Sequence, residues 1–169
     1  ATSPHGTYLD RKITDWWPGE DVVDWLGSSY FEFHPPSWSN LVAVATLHSK
    51  PVLICESAPQ GYDLGLGTYA PSIGSGENAR RVSSVHVWRK WYAPFFEFVR
   101  SNGHIIRGVA YINCHWKSQA MWSPGGGNGY WGDSRVNVAS EIKSRWESEM
   151  RKMPTWLHAS NELNEYIVQ

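Results

Sequence analysis

Three short apolar segments alternate with amphipathic stretches along the chain. They are residues 21–31 (DVVDWLGSSYF), 51–56 (PVLICE) and 105–113 (IIRGVAYIN), and each carries polar residues towards its end. Runs of this length, rich in β-branched and aliphatic residues, are typical of strands that are buried on both faces in parallel sheets. The pattern therefore predicts three strands.

Between and after these strands the apolar residues recur at helical spacing. The predicted helices cover residues 38–49, 81–100 and 138–152. Pro94 should break the second helix, because proline lacks the backbone N–H that a helix interior requires. Asn137 is the predicted cap of the third helix, in which Ile142, Trp146 and Met150 line one face. Long glycine-rich loops follow the second and third strands, at residues 57–80 and after residue 113.

Strand and helix alternate three times, which predicts parallel βαβ units and an α/β fold. A closed (β/α)8 TIM barrel needs eight strands and usually about 250 residues, whereas this chain has 169 residues and three predicted strands. Three strands alone would leave two open sheet edges, which isolated proteins avoid. We therefore predict that residues 1–169 are a single domain, the C-terminal portion of a partial (β/α)8 barrel with about the last three βα units, completed by a missing or separate N-terminal portion.

Composition argues against several classes of partner. A formal net charge of -1 argues against binding to nucleic acid or to an anionic membrane surface, because both need a basic face. No apolar run reaches the roughly 20 residues of a membrane helix. The seven histidines lack zinc-like spacing, so we expect no metal and no cofactor. Cys55 and Cys114 could form a disulfide or remain free thiols. The start at Ala1, without a signal-peptide pattern, indicates a processed or cut product.

Tryptophan is the compositional outlier. The chain has 11 Trp and 8 Tyr residues, more than a core of this size needs. Any single tryptophan is more often a core residue. Flat apolar rings edged with hydrogen-bonding groups also suit the C–H faces of sugars, and the set as a whole points to a polysaccharide or oligosaccharide partner.

A single carboxylate, Glu56, stands at the end of the second predicted strand. Barrel enzymes of the α/β class carry their chemistry at the carboxyl ends of the strands, which makes Glu56 a candidate catalytic group. The alternative is a residue that caps or salt-bridges a surface loop. The strand alone leaves both interpretations open.

Several segments together resemble glycoside hydrolase family 26 and its relatives. Residues 17–27 (WPGEDVVDWLG) resemble the segment that leads into the sixth barrel strand, and residues 50–56 (KPVLICE) resemble the seventh strand, which ends in the nucleophile of these retaining β-glycanases. Residues 105–116 are similar to the eighth strand, and residues 131–136 resemble part of the segment that closes the barrel. The match covers most of residues 15–150 and implies strands 6–8 of a secreted enzyme that cleaves β-1,4-mannan or, in some relatives, mixed-linkage glucan.

The resemblance implies roles for individual residues. Glu56 would be the nucleophile that attacks the anomeric carbon, and Tyr30 would hydrogen-bond to it and orient it. Trp116 would form the aromatic floor of the sugar subsite beside the scissile bond, and Trp122 is a further candidate sugar contact.

Asn113 and His115 lie at the end of the third predicted strand. Strand alternation places both on one face, where they would either contact sugar hydroxyls or support the strand end. Both interpretations stay open. Asp133 and Arg135 favour an ion pair that fixes a loop rather than a catalytic role.

The second catalytic carboxyl group has no good candidate in this chain. Glu32, two residues beyond Tyr30, could substitute for it, but most such residues are solvated. Retaining glycosidases need two carboxyl groups roughly 5–5.5 Å apart, and the family's acid/base glutamate lies on the fourth strand, upstream of this chain. We therefore predict a fragment of an extracellular, endo-acting, mannan-type β-glycan hydrolase, with Glu56 as nucleophile, that is inactive alone. The alternative is a non-catalytic carbohydrate-binding or structural extracellular protein built on a degenerate or split barrel.

Overall fold

A computed structural model describes residues 13–32, 35–71, 76, 78–122 and 129–152. In chain order, its helices and strands are β1 Leu26–Tyr30, α1 Pro35–Leu47, β2 Val52–Ser57, β3 Tyr62–Asp63, β4 Thr68–Tyr69, β5 Arg80–Arg81, α2 Ser84–Val87, α3 Ala93–Ser101, β6 Ile106–Val109 and α4 Ser140–Arg151. A π turn and several 3-10 turns connect them; the ones used below are Trp88–Tyr92, Trp116–Ser118 and Val136–Val138.

The strands β1, β2 and β6 form one parallel sheet with β2 at its centre. The prediction of three parallel strands is confirmed, but β1 begins later than expected, at Leu26. Its first ladder bond joins the Leu26 N–H to the Pro51 carbonyl oxygen at 3.0 Å. The residues before it turn outside the sheet and leave Val22 67% exposed, because no strand lies beside them among the described residues.

One face of this sheet packs against the helices. The register partners Leu26, Val52 and Ile106 lie in the core that also contains α1, α3 and the π turn. Burial of the π-turn residues Trp88 and Trp91 agrees with the expectation that a single tryptophan is more often a core residue. No helix in the described part of the chain combines the length and the apolar character that a membrane span requires.

The opposite face of the sheet is uncovered within the described residues. Leu53 is 36% exposed and Cys55 is also exposed. The neighbouring strands carry glycines beneath these two side chains. A Cβ atom on Gly27 would lie 2.4 Å from Cys55 Sγ, and one on Gly108 would lie 2.6 Å from Leu53 Cδ1. The glycines therefore make room for side chains that rise from the central strand on this face.

Two predicted boundaries need correction. The loop after β2 is not irregular throughout, because β3, β4 and β5 form a small antiparallel sheet in it. The helix predicted at 81–100 is divided into α2, a π turn and α3. The Ala93 N–H bonds to the Trp88 carbonyl five residues earlier. This widened turn ends just before Pro94, which sits in the first turn of α3, where a missing N–H costs little.

The last predicted helix also starts later than expected. Asn137 lies in the 3-10 turn Val136–Val138, and Ala139 occupies the cap position of α4. The predicted face is confirmed: Ile142 is fully buried, and Trp146 and Met150 pack against the same core.

Candidate functional site

Glu56 lies at the carboxyl end of the central strand, where the ends of β1 and β6 flank it. Its side chain is exposed, and its Oε2 atom accepts a hydrogen bond of 3.2 Å from the Ser29 hydroxyl. Ser28 pairs with Ile54 and Ser29 pairs with Glu56, so Cys55 is an extra residue in β2. This β-bulge interrupts the alternation of faces and leaves Cys55 and Glu56 both exposed.

Tyr30 lies on the other side of the sheet from Glu56. It is 1% exposed and is surrounded by rings of α1 and α3, with centroid distances of 5.6 Å to Trp38 and 5.0 Å to Phe95. Burial raises the pKa of its hydroxyl above the ordinary value. Successive residues of a strand point to opposite faces, so Ser29 faces Glu56 and Tyr30 faces the helices. The structure does not bring the predicted pair of Tyr30 and Glu56 together.

An aromatic cluster lies beside the end of β2. It consists of Phe31, Trp116, Trp122 and Trp131, with Ala58, two residues after Glu56, packed against it. The centroids of Trp116 and Trp131 are 4.7 Å apart, and those of Trp122 and Trp131 are 4.9 Å apart. The sequence singled out Trp116 and Trp122, and the structure adds Trp131 and Phe31 to the same group.

Trp116 is held rigidly inside this cluster. Its side chain is 7% exposed, and its indole N–H donates to the Ser134 hydroxyl oxygen at 3.0 Å. Ser134 is fully buried and also accepts from the backbone N–H of Cys114. Its own hydroxyl lies 2.7 Å from the carbonyl oxygen of Ile112, to which it donates. Trp122 is the more exposed of the two predicted sugar-contacting rings.

Asn113 and His115 both make contacts within the loop that follows β6. The Asn113 side-chain oxygen accepts a hydrogen bond of 2.9 Å from the Val136 N–H, which stabilises the 3-10 turn before α4. His115 pairs with Asp133 through an isolated β-bridge. These contacts agree with the interpretation that both residues support the strand end, and sugar contacts by either residue stay a prediction.

The Asp63–Lys117 ion pair joins the loop after β2 to the loop after β6, and a second ion pair, Asp133–Arg135, lies within the loop after β6. We call Asp63, Lys117, Asp133 and Arg135 the aspartate clamp. Lys117 Nζ lies 2.8 Å from Asp63 Oδ2, and Arg135 Nη2 lies 2.7 Å from Asp133 Oδ2. The Asp133 N–H also donates to the Tyr62 carbonyl at 3.0 Å. The predicted Asp133–Arg135 ion pair is confirmed, whereas the role of Asp63 had no signal in the sequence.

The electrostatics around Asp133 favour its ionised form. Burial alone would raise the pKa of Asp133. The hydrogen bonds and positive charge of Arg135, with a smaller contribution from His115, outweigh burial and hold this pKa below its ordinary value. Asp63 and Asp133 are both engaged in ion pairs, so neither is suited to act as a proton donor beside Glu56. No cluster of His, Cys, Asp and Glu among the described residues could hold a metal ion.

The carboxyl and amino ends of the sheet differ in chemistry. At the amino ends an open cavity of about 560 Å³ is lined by Trp25, Pro51 and Ile105, which precede the three strands, and by Arg107. Glu56 and the aromatic cluster lie at the other end. Both cysteines are free thiols, Cys55 on the uncovered face of the sheet and Cys114 against the aromatic cluster.

Comparison with known proteins found two close relatives. Over 155 residues the chain is 39% identical to a β-1,3-xylanase of Alcaligenes sp. and 40% identical to a β-1,3-xylanase of Vibrio sp.. Each alignment covers 90% of this chain but only 33% and 34% of the respective relative. The chain thus spans about a third of the length of the curated relatives it matches. No protein-family model matches the chain.

Proposed function

We propose that this chain is the C-terminal part of a retaining β-glycan hydrolase, with Glu56 as the nucleophile and β-1,3-xylan as the substrate. The observation that carries the proposal is the position of Glu56. It is an exposed carboxylate at the carboxyl end of a central parallel strand, beside a cluster of aromatic rings. The similarity to two proteins named β-1,3-xylanases supports the same conclusion.

The proposed reaction has two steps. A Glu56 carboxylate oxygen attacks the anomeric carbon, the glycosidic bond breaks, and the leaving oxygen takes a proton from a second carboxyl group. Water, deprotonated by that second group, then attacks the anomeric carbon and releases Glu56. The two buried aspartates are committed to ion pairs, so we assign the second carboxyl group to a part of the protein outside this chain.

The aromatic cluster would bind the sugar rings next to Glu56. Trp122, which is partly exposed, would contact the sugar directly. Trp116 is nearly buried and hydrogen-bonded to Ser134, so the exposed edge of its ring would contact the sugar from a fixed position. Such rigidity helps catalysis, because a bound sugar must hold its anomeric carbon close to the attacking oxygen.

We further propose that an N-terminal portion completes the sheet into a (β/α)8 barrel. The sheet has open edges at β1 and β6 within the described residues, and Leu53 and Cys55 project from its uncovered face. The relatives are about three times as long as the region they share with this chain. A polymeric substrate would place the enzyme outside the cell.

The substrate proposal replaces the mannan expected from the family resemblance with xylan, because both relatives carry the name β-1,3-xylanase. The full-length protein should release reducing sugar from β-1,3-xylan much faster than from β-1,4-xylan or β-1,4-mannan at equal concentration. Equal or faster cleavage of mannan would favour the first expectation.

The nucleophile is tested by Glu56→Ala in the full-length protein. We expect turnover to fall at least about a thousandfold. Added azide should restore partial activity and yield a glycosyl azide of α configuration, because azide would attack from the face that Glu56 vacates. Glu147→Ala, which removes an exposed carboxylate on α4, is the matched control and should leave turnover unchanged. Full activity in Glu56→Ala would refute the assignment.

One observation favours a second candidate, a non-catalytic carbohydrate-binding protein. Within the described residues, the buried aspartates near the strand ends are both held in ion pairs, which leaves Glu56 without an evident acid/base partner. The full-length protein would then bind β-1,3-xylo-oligosaccharides in calorimetry and release no product after prolonged incubation.

A further inference from the structure

Ser29 is the one side chain among the described residues that donates a hydrogen bond to Glu56. The two residues are register partners on adjacent strands, and the Ser29 hydroxyl lies 3.2 Å from Glu56 Oε2. Both residues belong to paired strands of the sheet, so the backbone of the sheet rather than a loop sets their separation.

The β-bulge at Cys55 makes this pairing possible. In a regular strand without the bulge, Glu56 would share the face of Ile54, which is fully buried against the helices. The bulge turns Glu56 to the uncovered face and aligns it with Ser29 instead of Tyr30. Tyr30, the residue expected to orient Glu56, packs among the rings on the helix side.

We propose that Ser29 is the positioning residue for the Glu56 nucleophile, an assignment that rests on the function proposed above. Its hydroxyl holds Oε2 and leaves Oε1 directed at the anomeric carbon. In the first step Oε1 forms the glycosyl ester, the carboxylate loses its charge, and the leaving oxygen takes the bond electrons and a proton from the acid/base group. In the second step water displaces the ester and the negative charge returns to Glu56.

The second step depends more strongly on Ser29 than the first. A hydroxyl donor stabilises a carboxylate more than a neutral ester, because hydrogen bonds to charged groups are the stronger ones. Loss of the donor should therefore slow the release of the carboxylate, and the glycosyl-enzyme should accumulate.

The experiment compares Ser29→Ala, Ser29→Thr and Ser28→Ala in the full-length protein. We expect Ser29→Ala to lower kcat about 10- to 100-fold without raising KM, as loss of one hydrogen bond to a charged group predicts. With an activated aryl glycoside it should show a burst of released phenol before a slow steady state. Ser29→Thr keeps the hydroxyl and should stay within about threefold of the wild type. Ser28→Ala removes a hydroxyl one residue away and should match the wild type.

A second measurement tests the hydrogen bond without turnover. In ¹³C-glutamate-labelled protein, the carboxyl-carbon signal of Glu56, assigned by its absence in Glu56→Gln, should move in Ser29→Ala and stay in place in Ser29→Thr and Ser28→Ala. A signal that does not move in Ser29→Ala overturns the hydrogen bond.

The two proposals fail separately. Full turnover in Glu56→Ala overturns the proposed function. Loss of turnover in Glu56→Ala together with wild-type kcat in Ser29→Ala overturns only the role of Ser29. An equal loss in Ser29→Ala and Ser29→Thr also overturns that role, because the hydroxyl would then not be the cause.

Discussion

Breaking the Asp63–Lys117 ion pair should strongly lower the free energy of unfolding. Removal of the lysine should cost more than removal of the aspartate's charge. The Asp63 side chain is 3% exposed and Lys117 is 29% exposed, with 2.8 Å between Oδ2 and Nζ. Removal of one partner from a buried pair typically costs about 3–5 kcal/mol, because the remaining charge is left without compensation. The flexible lysine can reach water more easily than the fixed aspartate.

The magnitudes follow from this asymmetry. Lys117→Met leaves the Asp63 carboxylate buried without its partner. It also removes the cation that lies 5.3 Å from the centre of the Tyr130 ring. We therefore expect the free energy of unfolding to fall by about 3 kcal/mol. Asp63→Asn keeps the acceptor for the Leu66 N–H at 2.8 Å and frees a lysine that can be hydrated, so we expect about 2 kcal/mol.

Urea denaturation followed by tryptophan fluorescence measures both losses. The double variant should lose less than the sum of the single variants by about 1 kcal/mol or more, because the two residues are in direct contact. Lys143→Met is the control. Lys143 lies 3.8 Å from Glu147 and both side chains are about half exposed, so its loss should cost less than about 0.5 kcal/mol. If Lys117→Met is as stable as Lys143→Met, the clamp does not stabilise the two loops.

Two further predictions concern Asp133 of the clamp and the adjacent Ser134. The folded pKa of Asp133 lies below its ordinary value because the bonds from Arg135 outweigh burial. Its contribution to stability should therefore be complete above about pH 5 and be lost as the pH falls through the folded pKa. Asp133→Asn should flatten that part of the acid-denaturation curve, and an unchanged curve would contradict the assignment. Ser134→Ala should lower the free energy of unfolding by about 1–3 kcal/mol and alter the tryptophan emission, because the buried Trp116 indole N–H loses its acceptor. The control Ser118→Ala, at an exposed hydroxyl, should change neither quantity. Equal effects in the two variants would show that Ser134 has no special role.

Much of the secondary structure could be predicted from local patterns. The three parallel strands and the apolar face of α4 follow from hydrophobic periodicity, which depends on residues a few positions apart. The start of β1 at Leu26 could not be predicted, because it depends on where β2 begins. The small sheet β3–β4–β5 could not be predicted either, because its pairs join short segments without an apolar run.

The candidate site divides in a similar way. Glu56 at a strand end and the tryptophans Trp116 and Trp122 were visible in the sequence. The orientation of Tyr30 away from Glu56 was not, because a single extra residue in a neighbouring strand changes which side chains share a face.

Sequence patterns specify which segments become strands and helices, because the spacing of apolar residues acts over one or two turns of chain. The pairing of Ser29 with Glu56 and of Asp63 with Lys117 joins residues 27 and 54 positions apart. Such contacts form only when the core packs and sets the register between strands, so the folded arrangement alone determines which polar groups meet at the end of the sheet.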